Sequence, residues 1–233
     1  MRILLTRARA DAERTAARLA ALGHTAIIAP VIEIAATGAA IPDAAFDAII
    51  ATSAHALRSA PVHSLASTPL YAVGERTREA AERAAWRAPI HVAADAQALI
   101  AHLGAASPAI SHALYLAGRD RKADLEAAAQ AMRLSLQVVE VYVAHDVFML
   151  SDEATRCLQR GELDCLLHYS RRSAELFIRT VLRAELWPQA AKLQHFALSV
   201  DVAEALAATG LQAVSAAEPD EDHLFALLDE AER

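Results

Sequence analysis

Three groups of arginines stand where short apolar runs end. Arg7 and Arg9 follow Ile3-Leu4-Leu5-Thr6, Gly118-Arg119-Asp120-Arg121-Lys122 follows Leu114-Tyr115-Leu116-Ala117, and Tyr169-Ser170-Arg171-Arg172 follows Cys165-Leu166-Leu167-His168. A guanidinium is a planar fork of donors that suits carboxylates and phosphates. Other apolar runs end in small hydroxyls or glycine: Thr52-Ser53, Gly74 with Thr77, and Ser199. A strand that turns directly into a helix aims the helix's unpaired N–H groups past the sheet edge, which makes an anion site without a dedicated loop. The chemistry these residues suit is the grip on a polyanionic small molecule. Plainer readings stay open beside it. Ser and Thr at such turns also serve as helix caps, each worth about 1 kcal/mol. Arg119 to Lys122 can be a solvated charge run with Asp120 and Asp124 as local partners.

Other chemistry has no residues to carry it. Neither Gly74 nor Gly118 has the companion glycines of a nucleotide or dinucleotide loop, and there is no His-Glu-x-x-His, acidic calcium loop or Gly-x-Ser-x-Gly elbow. The ten histidines are scattered and are expected at the surface or in linkers; Cys157 and Cys165 have no ligand spacing. No metal and no cofactor are expected. A net charge of −7 and a pI near 5.8 argue against nucleic acid as a partner. No apolar run approaches the ~20 residues that span a bilayer, and the apolar run at Ile3 is too short for a signal peptide. The expectation is a cytoplasmic protein with reduced thiols and no membrane partner.

The elements that position these residues repeat. Arg2 to Arg9 aligns with Ala113 to Asp120 at an offset of 111, each followed by a helical stretch (Asp11 to Leu22; Ala123 to Leu134) and a β-branched run. In the first helix Thr15, Ala16, Leu19 and Leu22 are expected on the buried face, with Gly23 as the stop. Pro30 splits His24 to Ile34 into a strand and a second extended segment. Asp47 to Ser53 matches Asp164 to Ser170 at an offset of 117, and Leu70 to Thr77 matches His195 to Val202 at 125. Asp95 to Leu103 matches Asp220 to Leu228, also at 125. Constant order with a slowly growing offset is what duplication with small loop insertions leaves. Strand and helix alternate in each half, which predicts an α/β fold of two similar domains with parallel sheets, ligands lying outside the carboxyl ends of the strands.

The order Leu5-Thr6-Arg7, Ala51-Thr52-Ser53-Ala54, Tyr71 to Thr77, Leu116 to Asp120 and Val141-Tyr142, together with His168 to Ala174, resembles the uroporphyrinogen-III synthase family. The resemblance runs from about Arg2 to Leu228. It implies two flavodoxin-like domains joined by a two-stranded connector, with residues 1–34 plus 147–233 as one domain and 37–143 as the other. It also implies a monomer acting on hydroxymethylbilane, with a transient contact to hydroxymethylbilane synthase as the one protein partner. The reaction closes this linear tetrapyrrole with inversion of the last ring and loss of water, without metal or cofactor. The cleft would be lined by Thr6, Arg7, Thr52, Ser53, Gly74, Thr77, Gly118, Arg119, Tyr169, Ser170, Arg171 and Ser199. Tyr169 is the candidate proton donor, because the tyrosine some members carry in the helix before this strand falls here near Arg156, Cys157 and Leu158. Ser199 and Val202 replace the family's usual Gly-x-x-Thr. That departure motivates the alternative of a non-catalytic tetrapyrrole-binding or sensor protein.

Overall fold

The computed structural model describes residues 1–106 and 109–231. The chain divides into two compact units, Met1–Glu33 with His145–Arg233, and Ile34–Ala144.

In order, the first unit opens with β1 (Arg2–Leu5), α1 (Arg9–Ala21) and β2 (Thr25–Ile28), and the chain leaves it through β3 (Ile32–Ala36). The second unit holds β4 (Ala48–Ala51), α2 (Ala54–Ser59), a 3-10 turn (Val62–Leu65), β5 (Leu70–Val73), α3 (Glu75–Arg83), β6 (Ile90–Ala93), α4 (Ala96–Ala106), β7 (His112–Gly118) and α5 (Asp124–Ala131). The chain returns through β8 (Ser135–Asp146). The first unit then resumes with α6 (Asp152–Arg160), β9 (Cys165–His168), α7 (Arg171–Arg183), α8 (Trp187–Ala190), β10 (Gln194–Ala197), α9 (Val200–Ala207), β11 (Val214–Ser215) and α10 (Glu221–Ala231).

The first sheet runs β11-β10-β9-β1-β2, and the second β3-β8-β7-β4-β5-β6. Read from its far edge, the second becomes β6-β5-β4-β7-β8, with β3 added beyond β8. Each position then holds the strand that the repeat pairs with its counterpart: β10 with β5, β9 with β4, β1 with β7, β2 with β8. The duplication seen as matched segments is therefore a duplication of topology. Neighbours within each five-strand set are parallel. The extra pair runs the other way: the Thr37 N–H donates to the Val141 carbonyl, and the Val147 N–H to the Val31 carbonyl. Rising numbers on β3 meet falling numbers on β8. Pro30 sits in the break between β2 and β3, where a strand residue without an N–H is tolerated.

Strands buried on both faces explain the unbroken apolar runs. In the first unit Leu4 and Leu166 join Phe177, Val181 and Leu206 on one side, while Ile3, Leu5 and Leu167 join Leu19, Leu224 and Phe225 on the other. In the second, Ile49, Leu114 and Leu116 pack with Leu57 and Trp86, and Ile50 and Tyr115 pack with Leu99, Leu103 and Leu125.

Two expectations need correction. Leu22 is 57% exposed, because α1 stops at Ala21 and the residue leaves the helical phase before the turn at Gly23. The histidines are not all peripheral: His24, His168 and His195 are buried. His168 and His195 bond to each other at 2.9 Å, and His223 pairs with Asp220 at 2.9 Å.

Candidate functional site

Parallel strands end on one side, so each sheet has a single rim where its helices begin. The first unit's rim carries Thr6-Arg7 after β1, Tyr169-Ser170 after β9, and Leu198-Ser199 after β10. The second unit's rim carries Thr52-Ser53 after β4, Gly74 after β5, and Gly118-Arg119 at the end of β7.

Several of these residues make the local structure expected of helix starts. Ser170 has extended backbone, and its hydroxyl accepts the Ser173 N–H at 3.2 Å; the two hydroxyls lie 2.8 Å apart. Ser53 caps α2 by accepting the His55 N–H at 3.2 Å. Ser199 is the extended N-cap of α9, and its side chain makes no capping bond, so the hydroxyl is not committed to its own helix. Gly74 opens α3 at φ +75°, a conformation that costs a residue with a Cβ ~1–2 kcal/mol. The Thr52 hydroxyl meets the Tyr115 phenol at 2.9 Å. Burial pushes the Tyr115 phenol's pKa up.

The arginines divide by role. Arg121 is the fastener of its turn: it donates to the Gly118 carbonyl at 3.0 Å, to Glu140 at 2.9 Å and to Glu126 at 2.7 Å. The Arg121 bond holds the Glu140 carboxyl below its usual range. Arg119 reaches Glu140 only at 3.4 Å and its side chain is 57% exposed. Arg171 lies along the surface between the first turns of α7 and α9, with Nε and Nη2 donating to Asp201 at 3.0 and 2.8 Å. Arg172 pairs with Asp146 at 2.8 Å.

Four sequence candidates turn inward, against the expectation that their side chains line a cleft. Thr6 and Thr77 are buried. The Arg7 side chain is 10% exposed and donates to Glu221 at 2.7 Å and to Thr15 at 3.0 Å. Glu221, 5% exposed at its side chain, also takes Thr15 at 2.7 Å and Arg18 at 2.6 Å. Arg7 therefore neutralises a buried carboxylate delivered by the first turn of α10. Its guanidinium also lies 3.8 Å over the Tyr169 ring. The Tyr169 hydroxyl is buried beside this network, without a hydrogen bond of good geometry. Burial first, and the Glu221 charge second, push its pKa well above the ordinary phenol value. A phenol so placed is a poor proton donor to any ligand. The position after the strand was legible; the inward direction was not, because the residue that sets it, Glu221, lies 214 positions from Arg7. Cys157 and Leu158 are buried, so the family's helix tyrosine has no counterpart at those two positions either.

Among the described residues, no group of three or more histidines, cysteines, aspartates or glutamates is arranged to hold a metal ion. No helix among them is long and apolar enough to cross a membrane.

Two parallel α/β units with hydroxyls, glycine turns and arginines on their rims define a protein built to hold an anionic small molecule. The chain belongs to the uroporphyrinogen-III synthase family: the family model described as uroporphyrinogen-III synthase HemD matches residues 13–226, which reach into both units. The fold is similar to the crystal structure of uroporphyrinogen-III synthetase from Helicobacter pylori 26695, with a TM-score of 0.67 at 16% identity, covering 99% of this chain and 100% of that one. A mutant uroporphyrinogen III synthase from the extremely thermophilic bacterium Thermus thermophilus matches with a TM-score of 0.54 at 18% identity, over 100% and 98% of the two chains. At these identities the likenesses concern the fold. No curated protein sequence matches the chain significantly.

Proposed function

We propose that the protein is a uroporphyrinogen-III synthase that cyclises hydroxymethylbilane with loss of water and inversion of the last pyrrole ring. The observation that carries this reading is the family match over residues 13–226. The reaction makes haem-pathway tetrapyrroles, and the enzyme acts as a cofactor-independent hydro-lyase in the cytoplasm, as a monomer, meeting hydroxymethylbilane synthase only transiently. The electron-rich pyrroles of the substrate supply the bond-making electrons. What the protein adds is one folded geometry of a flexible chain, so that inverted closure outruns the spontaneous direct one.

The substrate's carboxylates suit the rims. Ser170 and Ser199 in the first unit, and Thr52, Ser53, Gly74, Gly118 and Arg119 in the second, present hydroxyls, N–H groups and one exposed guanidinium. Arg171 can contribute by exchanging Asp201 for a substrate carboxylate. Thr6, Arg7, Thr77 and Tyr169 act through the backbone and by packing, since their side chains are buried. The test is a coupled assay: hydroxymethylbilane made in situ should give uroporphyrinogen III in the presence of the protein. A product that stays isomer I refutes the reading.

A further inference from the structure

A glycine in a strand is informative when its backbone does not require one. Gly118, the last residue of β7, is not among the residues at positive φ. What requires it is Tyr142 on the neighbouring strand β8. A Cβ on Gly118 would lie 2.6 Å from the Tyr142 Cζ and 2.7 Å from its Oη, closer than real Cβ atoms come to anything. The phenol end of the ring thus lies flat on the backbone at the tip of β7, where only glycine leaves room.

The pairing is also irregular at this point. Leu116 faces Val139 and Ala117 faces Glu140, yet Gly118 faces Tyr142, so β8 carries one extra residue. A bulge of this kind re-aims the side chains that follow it. In a regular ladder Val141 would face Gly118 and Tyr142 would point through the opposite side of the sheet. With the bulge, Tyr142 shares the face of Val139 and stands 5.7 Å, centroid to centroid, from the His55 ring of α2. The Arg119 N–H donates to the Tyr142 carbonyl at 3.0 Å, which fixes the bulge against the same turn. Beside it the Arg119 guanidinium is more than half exposed, while Arg121 takes the shorter bond to Glu140.

We infer that Tyr142 is a substrate-positioning residue, its hydroxyl donating a hydrogen bond to a carboxylate of the tetrapyrrole at the tip of β7, beside Arg119. A glycine and a bulge together are more than packing a tyrosine calls for. Both are needed to lay a phenol across a strand end on the rim that carries Thr52, Ser53 and Arg119. The inference deepens the proposed function and rests on it for the identity of the ligand.

Tyr142→Phe in the full chain removes the hydroxyl and keeps the ring over Gly118. Losing one hydrogen bond to a charged group should raise KM for hydroxymethylbilane about ten- to hundredfold, with the melting temperature unchanged. An unchanged KM overturns the inference, as does a lowered melting temperature with unchanged KM, which marks a packing residue. Gly118→Ala, which must displace the ring, should raise KM in the same direction. Equilibrium dialysis against uroporphyrin III separates this inference from the function it rests on. If the wild type yields only isomer I, the proposed function fails, yet weaker uroporphyrin binding by Tyr142→Phe than by the wild type still supports the contact. Equal binding, or no binding by the wild type, overturns it.

Discussion

Acidification should unfold this protein through His168 and His195, and their hydrogen bonds dictate the sign. The Ala190 carbonyl can only accept, so His195 Nε2, 3.0 Å away, carries a proton. In the neutral ring Nδ1 then holds a lone pair and accepts from His168 Nε2 at 2.9 Å. His168 Nδ1 is left bare, buried and without a partner. Adding a proton to His195 would set two N–H groups against each other, and adding one to His168 would place a charge among Phe177 and its apolar neighbours. Burial accordingly lowers both pKa values, that of His168 furthest, with the neighbouring His195 as its second cause. Both rings are neutral in the folded protein, so their stability is fully present above the unfolded imidazole pKa of about 6.5 and is lost as pH falls below it. While the pH stays above the folded values, each histidine costs about 1.4 kcal/mol at pH 5.5, or about 3 kcal/mol for the pair. That is a large share of a typical stability of ~5–15 kcal/mol. The comparison variant is His168→Leu with His195→Gln, whose amide can still donate to Ala190. Urea unfolding at pH 7.5 and 5.5 should show the wild type losing about 3 kcal/mol more than the variant over that interval. Equal losses would refute the neutral-pair account, since His24 and every carboxylate are common to both proteins.

Two further outcomes follow from the buried network of the first unit. Glu221→Gln leaves Arg7 deep in the protein without its countercharge, and should destabilise by about 3–5 kcal/mol in urea at pH 7; a loss below about 1 kcal/mol would mean that the charge was already solvated. Tyr169→Phe keeps the ring under the Arg7 guanidinium and removes a hydroxyl that cannot reach a ligand, so isomer III should form at the wild-type rate. A fall in kcat with an unchanged melting temperature would restore Tyr169 as a proton donor.

How much of this was legible in the sequence depends on how local its cause is. The Cys165–His168 strand, the Ser170 cap and the buried Ala174, Phe177, Ile178 and Val181 of α7 follow from residues within one or two helical turns of each other, and they stand as the pattern requires. The repeat carried more, because matched segments in one order imply matched strand positions, which both sheets show. Side-chain direction at the strand ends was out of reach. Arg7 and Arg119 occupy equivalent places in the two halves, each just after an apolar strand. Arg7 is drawn inward because α10 begins with Glu221, and Arg119 stays out because Arg121 reaches Glu140 first. Nothing near either arginine in the chain encodes that difference. Tyr142 is the sharper case. Its address depends on one extra residue in β8, and alternation read along Ser135–Asp146 assigns it to the wrong face. The only local trace is the glycine that faces it, and Gly118 looks like any turn residue until the partner that forbids a Cβ is known. Duplicated rims can therefore diverge in function with little change in pattern, since one distant carboxylate or one bulge decides which side chains meet the ligand.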